Sequence, residues 1–200
     1  MSEPCPWCLR DDRPMSREHI FARWLVRRVH GARLIPSGAA AAERIARVTA
    51  GVCADCNAGW MSVLEDSFRR AVFARPRAGA IQAQDRVILS RWFTKTAVLL
   101  AQTRGATLIG PAGRRQLVTG MPDGVEVFLA RRRRPPQRLD FSFDAAVVAV
   151  QVDDLVAHIA APGVLASRHG TQLWPLRSQL IRWETLPVIT APHRSRSRSA

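Results

Sequence analysis

Lysine is almost missing from this chain: Lys95 stands alone, and every other one of the 30 strong bases is an arginine. Acids are few as well, 16 against those 30, so the formal charge is +14. The protein therefore carries a positive field over much of its surface, and such a field attracts polyanions, nucleic acid first. An arginine-heavy surface is also what a GC-rich genome encodes, so charge alone does not decide the partner. Long apolar runs are absent. Stretches such as Ala145 to Val152 are far too short to span a bilayer, and Met1 to Arg10 lack the basic start and apolar core of a signal peptide. The expectation is a cytoplasmic protein with no membrane partner. Internal repeats and the glycine pattern of a phosphate-binding loop are missing too. With 47% hydrophobic residues over 200 positions, wholesale disorder is excluded, and one good-sized domain or two small ones can be built.

Cysteine is scarce but concentrated. Cys5-Pro-Trp-Cys8 and Cys53-Ala-Asp-Cys56 each have the two-residue gap that lets one turn present two thiolates to a tetrahedral ion. In a reducing compartment two such pairs favour metal over disulfides. A redox Cys-x-x-Cys needs one pair and this chain has two, so zinc is preferred to redox chemistry or to plainly buried thiols. The distance between the pairs exceeds that of a compact zinc ribbon. Between them lies Ser16-Arg17-Glu18-His19-Ile20, and Asn57-Ala58-Gly59-Trp60-Met61 follows the second pair.

Periodicity divides the rest. From Ile20 to Val29, Phe21, Trp24, Leu25 and Arg28 would share a helical face with Trp24 and Leu25 at its centre, and Arg23, Arg27 and Arg28 would lie largely on the other side. Those arginines either keep an amphipathic helix soluble or present cations to a partner. Gly31 to Ala50 reads as a loop or short helix of low complexity. Trp60, Met61, Leu64, Phe68 and Val72 predict a helix over about 57–73, with Asn57 at its start and Glu65 and Arg69 as a supporting pair on its polar face. A second helix is expected over about 85–104, with Lys95 as a surface cation, and Gly105 and Gly110-Pro111 closing the helical half.

Beyond Gly120 the period becomes two. Strands are expected at Val125–Leu129, Leu139–Phe143, Ala145–Val152, Leu155–Ala161 and Gln179–Trp183, with Arg131–Arg134 and Pro135-Pro136 as a charged hairpin connection. They should form a small antiparallel sheet packed on the helix before it. His193 to Ala200 alternates arginine and serine and is expected to be a disordered basic tail.

Chemistry narrows the candidates. A four-thiolate zinc site is closed, so its task is to fold the segment. Catalysis must come from Glu18, His19 and Asn57. Hydrolysing a phosphodiester needs a base to activate water and a cation to stabilise developing charge. Imidazole, which titrates near neutrality, makes His19 the base. A carboxylate and an amide oxygen suit a hard ion, Mg2+ or Mn2+, and these are Glu18 and Asn57. Glu18 and His19 are sequence neighbours, so on a regular strand they point to opposite faces unless the backbone twists there.

The order Cys-x-x-Cys, Glu18-His19-Ile20, Cys-x-x-Cys-Asn57 resembles the HNH endonucleases that carry a structural zinc. The likeness covers about 5–73, and Cys53 to Met61 is similar to a group of prokaryotic and phage HNH proteins. It implies a ββα-metal finger, His19 as general base, Asn57 as the last metal ligand of the motif, and Glu18 in the place of the usual aspartate. The motif's middle asparagine would fall near Val48 or Thr49, and neither supplies its amide.

These readings together predict an α+β protein: an N-terminal ββα-metal (HNH/His-Me) finger with helices over 1–75, a connecting helix over 76–104, and a C-terminal α+β region over 105–192 whose small sheet is mostly antiparallel, followed by the tail at 193–200. The expected function is a metal-dependent endonuclease acting on DNA rather than RNA, with Zn2+ on Cys5, Cys8, Cys53 and Cys56 and Mg2+ or Mn2+ on Glu18 and Asn57. The alternatives are a non-catalytic zinc-containing nucleic-acid-binding module, and a protein-interaction or regulatory role seated in the C-terminal sheet.

Overall fold

In the computed structural model, residues 4–31, 48–74, 76–133, 139–144, 146–164 and 169–189 are described. The Ala39–Ala46 stretch and the basic tail lie outside them. Two short strands open the fold, β1 (Met15–His19) and β2 (Thr49–Cys53), paired antiparallel with Met15 opposite Cys53 and His19 opposite Thr49. β2 falls at the end of the stretch read as a loop or short helix. Its Thr-Ala-Gly-Val-Cys stretch mixes two strand formers with Ala and Gly and is too short to alternate visibly, and pairing with β1 fixes it as a strand.

Helix α1 (Arg23–His30) begins later than the pattern predicts, and its buried stripe is Leu25, Val26 and Val29. Trp24 is only half-buried and Arg28 is exposed, so the apolar centre expected at Trp24 and Leu25 is rotated toward Val26 and Val29. Ile20 and Phe21 are fully buried from the turn before the helix rather than from within it. After Cys53 the chain turns once through Ala54–Cys56, then widens into a π turn over Asn57–Met61 before α2 (Ser62–Phe73). The Ser62 N–H donates to Asn57 O, five residues back, and the helix is kinked at Gly59 (φ −86°, ψ −113°). Cys53 is the N-cap of the helical segment, and Asn57 follows its first turn, Ala54–Cys56, where it caps that turn and opens the π turn. Met61, Leu64, Phe68 and Val72 are buried as the period predicts.

Helix α3 (Ala83–Gln102) is the centre of the molecule, with α2 and β2 against it on one side and the sheet on the other. The Phe68 ring stacks on Trp92 at 3.8 Å between centroids. Because α3 is covered nearly all round, polar residues in its second half are buried too. Lys95 is fully buried, which overturns its reading as a surface cation. Its partner is Glu65 of α2, also buried, so Glu65 does not stand on a polar face beside Arg69. Both positions follow from helical spacing: Glu65 lies four residues after Met61 and three before Phe68, and Lys95 lies three after Trp92 and four before Leu99.

Helix α4 (Pro111–Leu117) starts at the proline read as a stop. Proline fits the first position of a helix, where its missing N–H is not needed. The sheet is mixed but mostly antiparallel: β3 (Glu126–Arg132), β4 (Leu139–Asp144), β5 (Val147–Val152), β6 (Leu155–Ala160), β7 (Thr171–Trp174) and β8 (Val188–Ile189). Its order is β4-β5-β6-β3-β7, with β8 parallel to β3. Strands β3 and β4 are not neighbours, so the arginine run after β3 leads into a crossover and not a hairpin. Gln179–Trp183 forms no strand; it contributes one isolated bridge, Arg182 to Ala80. Arg86 of α3 donates to Gln179 O at its start, and backbone bonds from Ile81 N–H to Ile181 O and from Trp183 N–H to Gly79 O hold the rest.

Candidate metal centre and adjoining cleft

The ribbon end and the first turn after it bring the two cysteine pairs together. Register sets Cys53 opposite Met15, the Ala54 N–H donates to Pro14 O at 2.9 Å, and the loop carrying Cys5 and Cys8 folds back over this junction. Sulfur separations are 3.9 Å for Cys5–Cys56 and 3.6 Å for Cys8–Cys53, and all four Sγ atoms lie within 4.8 Å of one another. A tetrahedron with Zn–S bonds of about 2.3 Å has sulfur–sulfur edges of about 3.8 Å. The spacing suits one ion and is much longer than the roughly 2.05 Å of a disulfide. The four cysteines can hold a metal ion, and the set is consistent with structural zinc.

Local hydrogen bonds prepare the thiols unequally. Burial alone would raise Cys5, but the backbone N–H groups around it, of Cys8, Cys53 and Trp7, outweigh burial and bring it down to about 7. The Cys53 N–H lies 3.4 Å from Cys5 Sγ. Cys56 and Cys53 are both pushed up, burial first and neighbouring thiols next. Four thiols in one buried cluster cannot all ionise without a cation among them, which is the condition a bound ion relieves. Trp7, fully buried, packs its ring against Trp60 at 5.2 Å, walling the cluster.

Beside the thiols opens a cleft of ≈ 420 Å³ lined by Ser16, Glu18, Trp24, Asn57, Glu65 and Asp66 among others. Strand alternation puts Ser16 and Glu18 on its side of the ribbon. Asn57 reaches the same cleft from the π turn, and its amide nitrogen donates to Ser16 Oγ at 3.2 Å. The same NH2 faces the Glu18 carboxyl, so the amide oxygen would reach an ion shared with Glu18 by rotation of the amide. Burial, with help from the negative charge of Glu65, pushes the Glu18 carboxyl above the usual carboxylate range; the Lys95 ammonium and the Asn57 amide act the other way.

The structure brings Glu18 and Asn57 to one site, then, but does not bring His19 there. His19 ends β1, half-buried, and does not line the cleft. Among the described residues no hydrogen bond or ion pair holds its imidazole. Among the described residues, too, the four cysteines are the only set of three or more His, Cys, Asp or Glu side chains within metal-ligand distance of one another. An ion in the cleft would therefore draw on a carboxylate and an amide, not on a cluster of acids.

Sequence reasoning missed Ser16, Glu65 and Asp66 as cleft residues. For Ser16 the signal was its two-residue spacing from Glu18, and for Glu65 its place on the apolar stripe of α2. No helix among the described residues is long and apolar enough to cross a membrane. Set against family models, curated proteins and solved structures, the chain matches none of them.

Proposed function

We propose that this chain is a metal-dependent HNH-type endonuclease hydrolysing phosphodiester bonds, with DNA as the favoured substrate. One observation carries the reading: Glu18 and Asn57 open on one cleft beside a closed four-thiol site. Strands β1 and β2 pair antiparallel and β2 leads into a helical segment, an arrangement compatible with a ββα-metal finger carrying α1 between its strands. In this reading the thiols hold zinc and keep the ribbon against the helix. The Glu18 carboxylate and the Asn57 amide oxygen would hold Mg2+ or Mn2+, hard oxygen donors for a hard ion. Such an ion supplies stabilisation of the charge that develops on the phosphate and the leaving oxygen.

His19 takes the proton of the attacking water. Since His19 ends β1 and does not line the cleft, the scissile phosphate would have to lie over the end of that strand, where Glu18 and His19 are one residue apart. Catalytic hydrogen bonds commonly tighten only when substrate is present. The placement of His19 off the cleft also favours a second reading, a non-catalytic zinc-containing nucleic-acid-binding module. The test is nicking of plasmid DNA by purified protein across Mg2+ and Mn2+. Metal-dependent nicking supports the enzyme; salt-sensitive DNA binding with no cutting under any divalent ion supports the module.

A basic ridge beside the cleft gives the substrate a place to lie. Arg23, Arg27 and Arg28 of α1 and Arg69 and Arg70 of α2 are all exposed. Arg69 lies 5.9 Å from the ring centre of Trp24, itself a cleft residue, and Arg28 lies 5.8 Å from that of Phe73. The aromatic rings hold these cations without neutralising them. Replacing Arg27, Arg28 and Arg69 together by glutamine should reduce the slope of log affinity against log salt for duplex DNA by about 2 to 3, at about 0.9 per phosphate contact. The same triple change at the exposed Arg115, Arg177 and Arg182 should alter it much less. Equal effects from both triples would mean that net charge, and not this ridge, governs binding.

A further inference from the structure

Glu65 uses only one of its two oxygens. Lys95 Nζ lies 2.5 Å from Glu65 Oε1, and Trp92 Nε1 donates to the same atom at 2.7 Å. Oε2 is buried with no hydrogen-bond partner among the described residues, while Glu65, 7% exposed, lines the cleft that holds Glu18 and Asn57. A carboxylate oxygen shut away from water without a partner keeps the full cost of its lost hydration. Native proteins seldom tolerate that unless an ion, a water or a substrate atom completes the group.

The arrangement around Oε1 is what a metal-binding carboxylate needs from behind. Outer partners that fix one oxygen of a carboxylate orient the other and tune its strength as a ligand. Lys95 and Trp92, one turn apart on α3, do this from outside the cleft lining. Among the residues that line the cleft or back it, two carboxylates, Glu18 and Glu65, face one ammonium, Lys95, and the arginines of the ridge are not part of the lining. Glu18, Glu65 and Asp66 do not converge as a set within 4.8 Å, and Asp66 is exposed on the rim.

We propose that Glu65 is a further ligand of the divalent-ion site, joining Glu18 and Asn57, and that Lys95 and Trp92 are positioning residues that hold its carboxylate. This rests on the reading of the cleft as a divalent-cation site. It also gives the long helix of the central layer a part in the chemistry.

The experiment is Mn2+ titration of the zinc-loaded full chain without DNA, followed by electron paramagnetic resonance, with Tm measured in parallel. Wild type should bind Mn2+ saturably. Glu65→Gln should weaken binding at least tenfold, as should Glu18→Gln, while Asp66→Asn should change it less than twofold. Lys95→Met removes the ammonium that orients the Glu65 carboxylate, so Mn2+ should bind more weakly than in wild type, though less weakly than in Glu65→Gln. A purely structural Glu65–Lys95 pair predicts that Glu65→Gln and Lys95→Met both lower Tm and leave Mn2+ affinity alone. The double variant Glu65→Gln/Lys95→Met, with no buried charge left unpaired, guards against loss of fold and should bind as weakly as Glu65→Gln. Tight Mn2+ binding in either variant that lacks Glu65 overturns the proposal and leaves the Glu18–Asn57 site standing. A folded wild type that binds no Mn2+ overturns both.

Discussion

Replacing His19 with alanine should lower Mg2+- or Mn2+-dependent nicking of plasmid DNA by about 10²- to 10⁴-fold, the range that a positioned general base supplies. Zinc content, fold and DNA affinity should stay as in wild type. The expectation follows from where the side chain is. His19 is half-buried at the last position of β1, and no described side chain depends on it for a hydrogen bond. Removing the imidazole leaves no buried partner unsatisfied and opens no cavity in the core, so a fall in cleavage can be assigned to chemistry. If plasmid nicking, measured at saturating DNA, is the same in His19→Ala as in wild type, the base has been assigned to the wrong residue. Asp66 on the cleft rim would then be the first residue to examine.

Stripping the metal from the thiols should have the largest structural effect. The ribbon is five residues on each strand, and a two-stranded ribbon has little stability of its own in water. Structural zinc sites in small fingers are worth an apparent ~10–16 kcal/mol near neutral pH, and that energy is folding energy. Chelation, or Cys53→Ser, should release one zinc per chain and shift Trp fluorescence to the red as the Trp7–Trp60 wall opens. Cleavage should disappear with it. The sheet and α3 should survive at lowered stability, because Ala50 and Val52 of the ribbon share one continuous core with Leu89, Phe93, Leu99, Val127, Leu129, Val150 and Ile159 but supply only a small part of it. A partial loss of far-UV circular dichroism with a remaining cooperative transition is the expected signature. A chain that loses no metal and changes no signal under strong chelation would show the four cysteines to be ordinary buried thiols.

The elements that sequence reasoning found are those with strong periodicity. Helix α3, the apolar stripe of α2 and strands β3 to β6 were all legible, because each runs long enough for period 3.6 or 2 to stand out. The four cysteines were legible because ligand spacing is a local property. What failed depended on tertiary context. Gly110-Pro111 reads as a stop, yet proline is equally at home at the first position of a helix, and α4 starts there. Strand β2 is too short to alternate visibly and is fixed by its pairing with β1.

Lys95 is the clearest case. A lone lysine on a helix is usually at the surface, and only the packing of α2 and the sheet around α3 makes it interior. Glu65 was misplaced for the same reason: its spacing from Arg69 suggested a surface pair, while its spacing from Met61 and Phe68 put it on the buried face. The convergence of Glu18 and Asn57 followed from motif order. That His19 stands off the cleft follows from strand alternation, and the motif alone does not tell which neighbour faces inward.

In the proposed mechanism the chemistry belongs to a second ion beside Glu18 and Asn57, and not to the metal held by the thiols. Anomalous diffraction from crystals of the zinc-loaded protein soaked in Mn2+, with data collected on each side of both metal edges, tests this directly. Zinc is expected among Cys5, Cys8, Cys53 and Cys56, with a separate manganese peak within ligand distance of the Glu18 carboxylate and the Asn57 amide oxygen. Manganese found elsewhere, or a cleft that stays empty at saturating Mn2+ while the thiols hold zinc, would contradict it.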